Sequence, residues 1–223
     1  PCFPTDRRTM LTAHPVPGKP KAAALCAAFV AGAPKSATGH VFFGVKDTNA
    51  AAWKKVLASG EPYYFIDNSY FDAARGGAVA DGGQYRVTRN AIQLRDARQR
   101  RSDGKRWAAL GIETYAYDQR GFGEATGEPV KVRPWNPDKT KTQKTLHADL
   151  EGARAVVTHS SAAAITGAIA GVPFIVSPES AIYGMEPNER LHFMQVLADS
   201  QFTIEELRSG AAWAMIHEME RTE

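Results

Sequence analysis

The chain has 223 residues, 43% hydrophobic and 9% aromatic, enough to bury a core as one domain or two small lobes, which excludes disorder as its main state. Lys and Arg number 27 against 24 Asp and Glu, and the resulting net charge of +3 does not by itself identify a nucleic-acid partner. Two cysteines, Cys2 and Cys26, cannot build the disulfide framework of a small secreted domain, and the longest apolar stretch, Ala22 to Ala33, is too short to cross a bilayer. The expectation is a soluble intracellular chain with no membrane partner.

Residues 1–21 carry Pro4, Pro15, Pro17 and Pro20 without an apolar period, the composition of an extended N-terminal arm or a poorly ordered lead-in. The Ala-rich run Ala22 to Ala33 favours a short buried helix. From His40, HVFFGV is a compact strand pattern. The following DTNAAAWKKVLASG has a helix-start cap at Asp47 or Thr48 and a stop at Gly60, and PYYFIDNSYF is another strand. Strand, helix and strand at this spacing make a right-handed parallel crossover, so the segment 22–120 reads as an α/β lobe that opens a parallel sheet.

Open parallel sheets bind ligands beyond the carboxyl ends of their strands, which singles out Asp67, Asn68 and Tyr70. Asp67 and Asn68 equally suit a turn that caps the next segment. A glycine-rich loop follows over Arg75 to Gly83. Tyr85 to Arg106 then concentrates Arg86, Arg89, Arg95, Arg98, Arg100, Arg101, Lys105 and Arg106, opposed mainly by Asp96 and Asp103. Along a partly helical stretch such residues can hold the phosphates of a nucleotide or a nucleic acid; a solvated helix face is the other reading, because no aromatic residues are interleaved for stacking.

Beyond Trp107, IETYAYDQ reads as a strand, GFGEATGEP as a loop and VKVRPW as a short strand, with a polar linker over 121–145. Gly121, Gly123 and Gly127 miss the dinucleotide-binding spacing by one residue, and the chain contains neither a phosphate-binding P-loop nor a G-x-S-x-G nucleophile elbow.

Leu146 to Met185 carries the most information. A short helix ends near Gly152, Ala155 to Thr158 is a buried strand, Ser160 or Ser161 can cap a helix that Gly171 stops, and Val172 to Val176 returns as a parallel strand. The turn His159, Ser160, Ser161 is thereby expected where helix amides and two hydroxyls converge, with Ala162 to Ala164 small enough to admit an anion. An ordinary capped helix requires the same serines, so both readings stand.

The run ARAVVTHSSAAAITGAIAGVPFIVSP resembles the C-terminal half of GT-B glycosyltransferases and of related capsular polysaccharide transferases and sugar-nucleotide epimerases. The likeness covers about a fifth of the chain. YYFIDNSYF, YRVTRN and LADSQFTIEELRSGAAW further resemble segments of bacteriophage and prophage proteins. The resemblance implies a reduced two-lobed, Rossmann-like architecture, whose second half spans 146–223 and is closed by C-terminal helices. By position, His159, Ser160 and Ser161 would face the diphosphate of a nucleotide-sugar donor, and Glu179 would lie near its ribose or sugar.

After this segment, PNERLHFMQVLADSQ starts with Pro187 and sets Leu191, Met194, Val196 and Leu197 on one side of a helix, and Thr203 with Glu206 forms a capping box for another. The leading functional expectation is a metal-independent sugar transferase without a cofactor. Ser160, Ser161, Arg86 and Arg133 would steady the leaving diphosphate, and Asp67 or His159 would act as base. Asn68, Tyr70, Arg89, Arg98 and Arg101 would face the acceptor, a hydroxymethylated base of phage DNA or a surface glycan, in the cytoplasm of a bacterial host. The rival is a non-catalytic phage protein that binds nucleic acid or a partner on the same scaffold. A Ser160–His159 hydrolase is disfavoured, because neighbours at a helix start seldom aim at each other.

Overall fold

A computed structural model describes residues 10–71, 83–95, 97–110, 146–153 and 155–220. The first nine residues, most of the glycine-rich stretch 75–83, the strand and loop readings between 112 and 135, and the linker 121–145 lie outside the described residues.

Runs rich in β-branched and aromatic residues make β2 (Thr38–Phe43) and β3 (Tyr63–Asn68), and the weaker strand former Met10–His14 makes β1; the three lie side by side and parallel. The segment read as an arm thus supplies an edge strand. Pro15 and Pro17 follow its last paired residue, so their missing amides cost the sheet nothing. Helices α1 (Pro20–Gly32) and α2 (Asp47–Ser59) make the crossovers. At the start of α2 neither Asp47 nor Thr48 is the cap: the Lys46 amide donates to Asn49 Oδ1 at 2.8 Å. Asn49 Nδ2 also reaches the carbonyls of His14 and Gly44, each at 3.2 Å, and ties the helix start to the strand ends.

Side chains alternate across this sheet. Val41, Tyr64 and Ile66 pack with Leu25 and Phe29 of α1, whereas Phe42, Tyr63 and Phe65 enclose Trp53 and Val56 of α2. The crossovers step the same way across the sheet while their helices cover opposite faces. They therefore have opposite hands, and one of them departs from the right-handed rule.

After β4 (Tyr85–Arg89) come the short helix α3 (Lys105–Leu110) and α4 (Leu146–Leu150). A separate two-stranded parallel sheet, β5 (Val156–Thr158) and β6 (Phe174–Val176), is bridged by α5 (Ala163–Ile169). The chain ends in α6 (Arg190–Asp199), β7 (Gln201–Phe202), α7 (Ile204–Ser209) and α8 (Ala211–Glu220). Strands β4 and β7 extend the first sheet in the order β1-β2-β3-β4-β7, and both are antiparallel to their inner neighbour. The protein is therefore α/β with a mixed sheet, and the expectation of a wholly parallel one is corrected. The glycine-rich stretch before β4 has no amphipathic period for a crossover helix, and an antiparallel return requires none. The basic stretch accordingly begins as a strand, with Tyr85 and Val87 in the core.

Helices α7 and α8 cover α1 and its face of the sheet: Leu207, Ala212 and Ile216 join the core of Leu25 and Phe29. The Thr203–Glu206 capping box forms, with the Thr203 amide 2.8 Å from the Glu206 carboxylate and the Glu206 amide 3.2 Å from the Thr203 hydroxyl. A further core gathers Tyr70, Leu94, Ile165, Phe193, Met194 and Leu197, so α5 and α6 pack against the residues that follow β3 and β4. Met219 extends α8 into this core. On α6, Met194, Val196 and Leu197 are buried as expected, but Leu191 is 48% exposed. Burial pushes the Cys26 thiol up to about 12, so it remains a neutral thiol. Among the described residues no helix is long and apolar enough to cross a membrane.

The end of α1 meets the α7–α8 junction backbone to backbone. A Cβ on Gly32 would overlap the Leu207 carbonyl oxygen and lie 2.7 Å from the Gly210 amide. Gly210 itself adopts φ 87, which a side chain would strain. Gly32→Ala is expected to lower stability by about 1–3 kcal/mol through overpacking, read as a lower midpoint in urea with an unchanged slope.

Candidate functional site

Parallel register brings the ends of β5 and β6 together, with Thr158 opposite Val176. Gly167 permits this packing, since a Cβ there would meet Val156 Cγ2 at 2.8 Å. The turn after β5 holds His159, Ser160 and Ser161, and the one after β6 holds Ser177 and Glu179. The Ser177 amide donates to the His159 carbonyl at 3.1 Å, and the Ser177 hydroxyl lies 2.6 Å from the Glu179 carboxylate. Glu179 Oε2 in turn lies 3.6 Å from His159 Nε2. The Ser177 hydroxyl, with smaller contributions that include His159 and Arg95, holds the Glu179 carboxyl below its ordinary range. His159 and Glu179 are 72% and 51% exposed in their side chains, so this corner is open to solvent.

The cap residue of α5 is Ala162 and not Ser160 or Ser161 as expected, with no side-chain cap; Ser161, one residue earlier, accepts from the Ala163 amide at Oγ and from the Ala164 amide at its carbonyl, each at 3.2 Å. Ser160 has a different partner. Its carbonyl accepts from Gln93 Nε2 at 3.3 Å, Gln93 Oε1 accepts from Arg86 at 2.8 Å, and Arg86 pairs with Asp67 at 2.7 Å. Asp67, Arg86 and Ser160 therefore belong to one polar line that runs from the first sheet to the second, and Gln93 is its unforeseen member.

The line is built by strand register. Asp67 faces Arg86 across β3 and β4, and Arg86 faces Gln201 across β4 and β7. The Arg86 guanidinium also stacks 4.8 Å from the centroid of Tyr70. Gln201 Oε1 accepts from the Ser69 hydroxyl and, at 2.7 Å, from the Tyr70 amide. Arg86 Nε and Gln201 Nε2 are buried and have no hydrogen-bond partner among the described residues.

These positions decide which expected site residues can meet a ligand. Both Asp67 oxygens are engaged, Oδ2 by Arg86 and Oδ1 by the Asn68 amide at 2.8 Å, so its carboxylate braces the strand pair. Asn68 points to the opposite face, where Lys21 Nζ donates to it at 3.0 Å. Tyr70 is buried; its hydroxyl accepts from the Leu94 amide at 3.0 Å, and burial raises its pKa above the ordinary phenol value. Arg89 ends β4 and lines a cleft, and Arg101 is exposed. The backbone of Arg98 lies in a short 3-10 turn (Ala97–Gln99), and Arg133 lies outside the described residues.

Ser177 was not anticipated, although its place at the end of β6 was a signal of the kind that marked His159. Nothing in the sequence pattern marked Gln93. Among the described residues, no group of three or more His, Cys, Asp and Glu side chains is placed to hold a metal ion. No protein-family model, curated protein or solved structure matches the chain.

Removing one partner of a buried ion pair leaves the other charge uncompensated. Arg86→Ala is expected to cost about 3 kcal/mol of stability, and adding Asp67→Asn should return part of that loss. A double-mutant cycle in urea checks this, and purely additive losses would contradict a coupled pair.

Proposed function

We propose that the protein is a sugar transferase of the GT-B type, in which the β5–α5–β6 unit receives the diphosphate of a nucleotide-activated sugar. One observation carries this reading: His159 and Glu179, from the turns that follow two parallel strands, meet at an open corner, with Ser160 and Ser161 next to His159 in the same turn. Two further features support it. The corner lies beyond the carboxyl ends of parallel strands, where α/β sheets bind ligands, and the residues that form it carry the sequence resemblance.

In this reading Ser160 and Ser161 present hydroxyls to the diphosphate, and His159 stands beside it with its Nε2 turned towards Glu179. His159 takes the proton of the acceptor hydroxyl as that oxygen bonds to the anomeric carbon. The bond from this carbon to the diphosphate oxygen breaks with its electron pair, and the nucleoside diphosphate leaves. Asp67 and Arg86 then act by positioning, through Gln93 and the Ser160 carbonyl, and Asp67 is not the base. A hydroxymethylated DNA base or a glycan hydroxyl fits the acceptor chemistry equally.

A Ser160→Ala/Ser161→Ala double variant should bind UDP-glucose or GDP-mannose about tenfold more weakly, measured by calorimetry, with an unchanged circular-dichroism spectrum. His159→Ala should bind the donor normally and lose turnover by about a hundredfold or more. Failure of the unaltered protein to bind any sugar nucleotide at millimolar concentration, together with salt-dependent DNA binding, would replace the transferase reading with that of a nucleic-acid-binding protein.

A further inference from the structure

On the face of the first sheet that packs on α2, three side chains form an unbroken hydrogen-bonded line. His14 ends β1 and His40 lies on the neighbouring parallel strand β2, with His14 Nε2 2.9 Å from His40 Nδ1. The ring centroids are 5.1 Å apart, the span of that hydrogen bond and two ring radii laid end to end, so the two nitrogens point at each other. On its other side His40 Nε2 lies 3.2 Å from the Glu61 carboxylate, which also accepts from the Ser59 hydroxyl at 2.9 Å.

The carboxylate fixes where the hydrogens are. Ser59 and His40 hold the Glu61 carboxyl below its ordinary range, so it is an ionised acceptor. Neutral His40 therefore carries its hydrogen on Nε2 and offers a bare Nδ1, which accepts from His14 Nε2. What remains at the end of the line is the lone pair of His14 Nδ1. His14 is half-buried, and among the described residues this nitrogen is neither hydrogen-bonded nor sealed from solvent. Burial first, and then the neighbouring His40, hold the His14 imidazole below its ordinary pKa, which keeps the lone pair free at neutral pH.

The ring is also held in place. It stacks on Phe42 with centroids 4.6 Å apart, and Asn49 Nδ2 donates to the His14 carbonyl at 3.2 Å. Asn49 belongs to the first turn of the 13-residue helix α2, so the positive end of that helix starts beside His14 and favours an anionic group there. A nucleophile, a base within hydrogen-bond reach of it and a third group that orients the base form the arrangement by which proteins activate a side chain for covalent chemistry.

We propose that His14 is a nucleophile that takes a phosphoryl group onto Nδ1 from a reactive phosphoryl donor, an acyl phosphate or a phosphoramidate, with His40 as its base and Glu61 as the group that orients His40. The Nδ1 lone pair forms the bond to phosphorus, and the bond from phosphorus to the donor's leaving group breaks with its electron pair. The Nε2 proton of His14 passes to His40 Nδ1, and the imidazolium formed there stays paired with Glu61.

The test incubates the full chain with potassium phosphoramidate and, separately, with acetyl phosphate, and locates the phosphate by mass spectrometry at alkaline pH, where phosphohistidine persists. At least one donor should label His14 about tenfold or more faster than His159, whose side chain is 72% exposed and serves as the internal reference for an open imidazole. Both rates are read from one unaltered molecule and do not depend on how a variant folds. Glu61→Gln should slow labelling of His14 by about tenfold and leave His159 as it was. His40→Gln should slow it likewise and raise the pH at which His14 labelling is half-maximal, because a neighbouring positive charge is removed while Glu61, and Lys55 of α2 beside it, remain. A merely structural role for His40 would not move that midpoint. The proposal is overturned if neither donor labels His14, if His159 is labelled as fast as His14, if Glu61→Gln is labelled at the unaltered rate, or if the midpoint stays in place in His40→Gln. Sugar-nucleotide binding at the Ser160–Ser161 turn is measured separately, so either reading can fail without the other.

Discussion

A guanidinium buried between two sheets is the constraint on which the rest of the architecture turns. Arg86 is 6% exposed, and it must find compensation for its charge where water is scarce. Asp67 supplies the countercharge from the neighbouring strand, Gln93 an acceptor from the turn beyond β4, and the Tyr70 ring a face for the cation. Each partner is thereby fixed in position. Gln93 has little freedom once its carbonyl oxygen is held by Arg86, so its amide is aimed at Ser160 and the second sheet is placed relative to the first.

This arrangement divides labour between buried and exposed polar groups. Most polar atoms of Asp67, Arg86, Tyr70 and Gln201 are engaged with one another, with Gln93 or with nearby backbone, Arg86 Nε and Gln201 Nε2 excepted, which suits the group to rigidity. His159 and Glu179 are open to solvent, and the arginines beyond Asn90 line a cleft. Two chemically different openings therefore flank Gln93, one with an imidazole beside a carboxylate and a hydroxyl and the other lined by arginines.

Much of this organisation was legible in the sequence wherever a local rule dominates. Gly60 and Gly171 at helix ends, the Thr203–Glu206 box and the Val-Val-Thr and Phe-Ile-Val runs all specify nearby backbone, whereas Pro20, grouped in the sequence with the prolines of an extended arm, opens α1. What escaped detection depends on partners distant in the chain. β1 is hidden among prolines because its stability comes from pairing with β2, and the direction of β4 is set by the strands it lies between. Asp67 resembled a ligand-facing carboxylate because only strand register shows that Arg86 stands opposite it. Gln93 carries no pattern at all, since its role is defined by two partners on different strands and turns.

The fifth strand of the first sheet comes from Gln201 and Phe202, and the helices that cover α1 follow it. During translation, then, the nascent N-terminal portion presents an unfinished edge at β4 and a bare flank on α1 until the closing segment has left the ribosome. The protein is consequently expected to acquire its structure in one late, concerted step, and a cut anywhere before residue 201 should yield two mutually dependent fragments instead of an autonomous half.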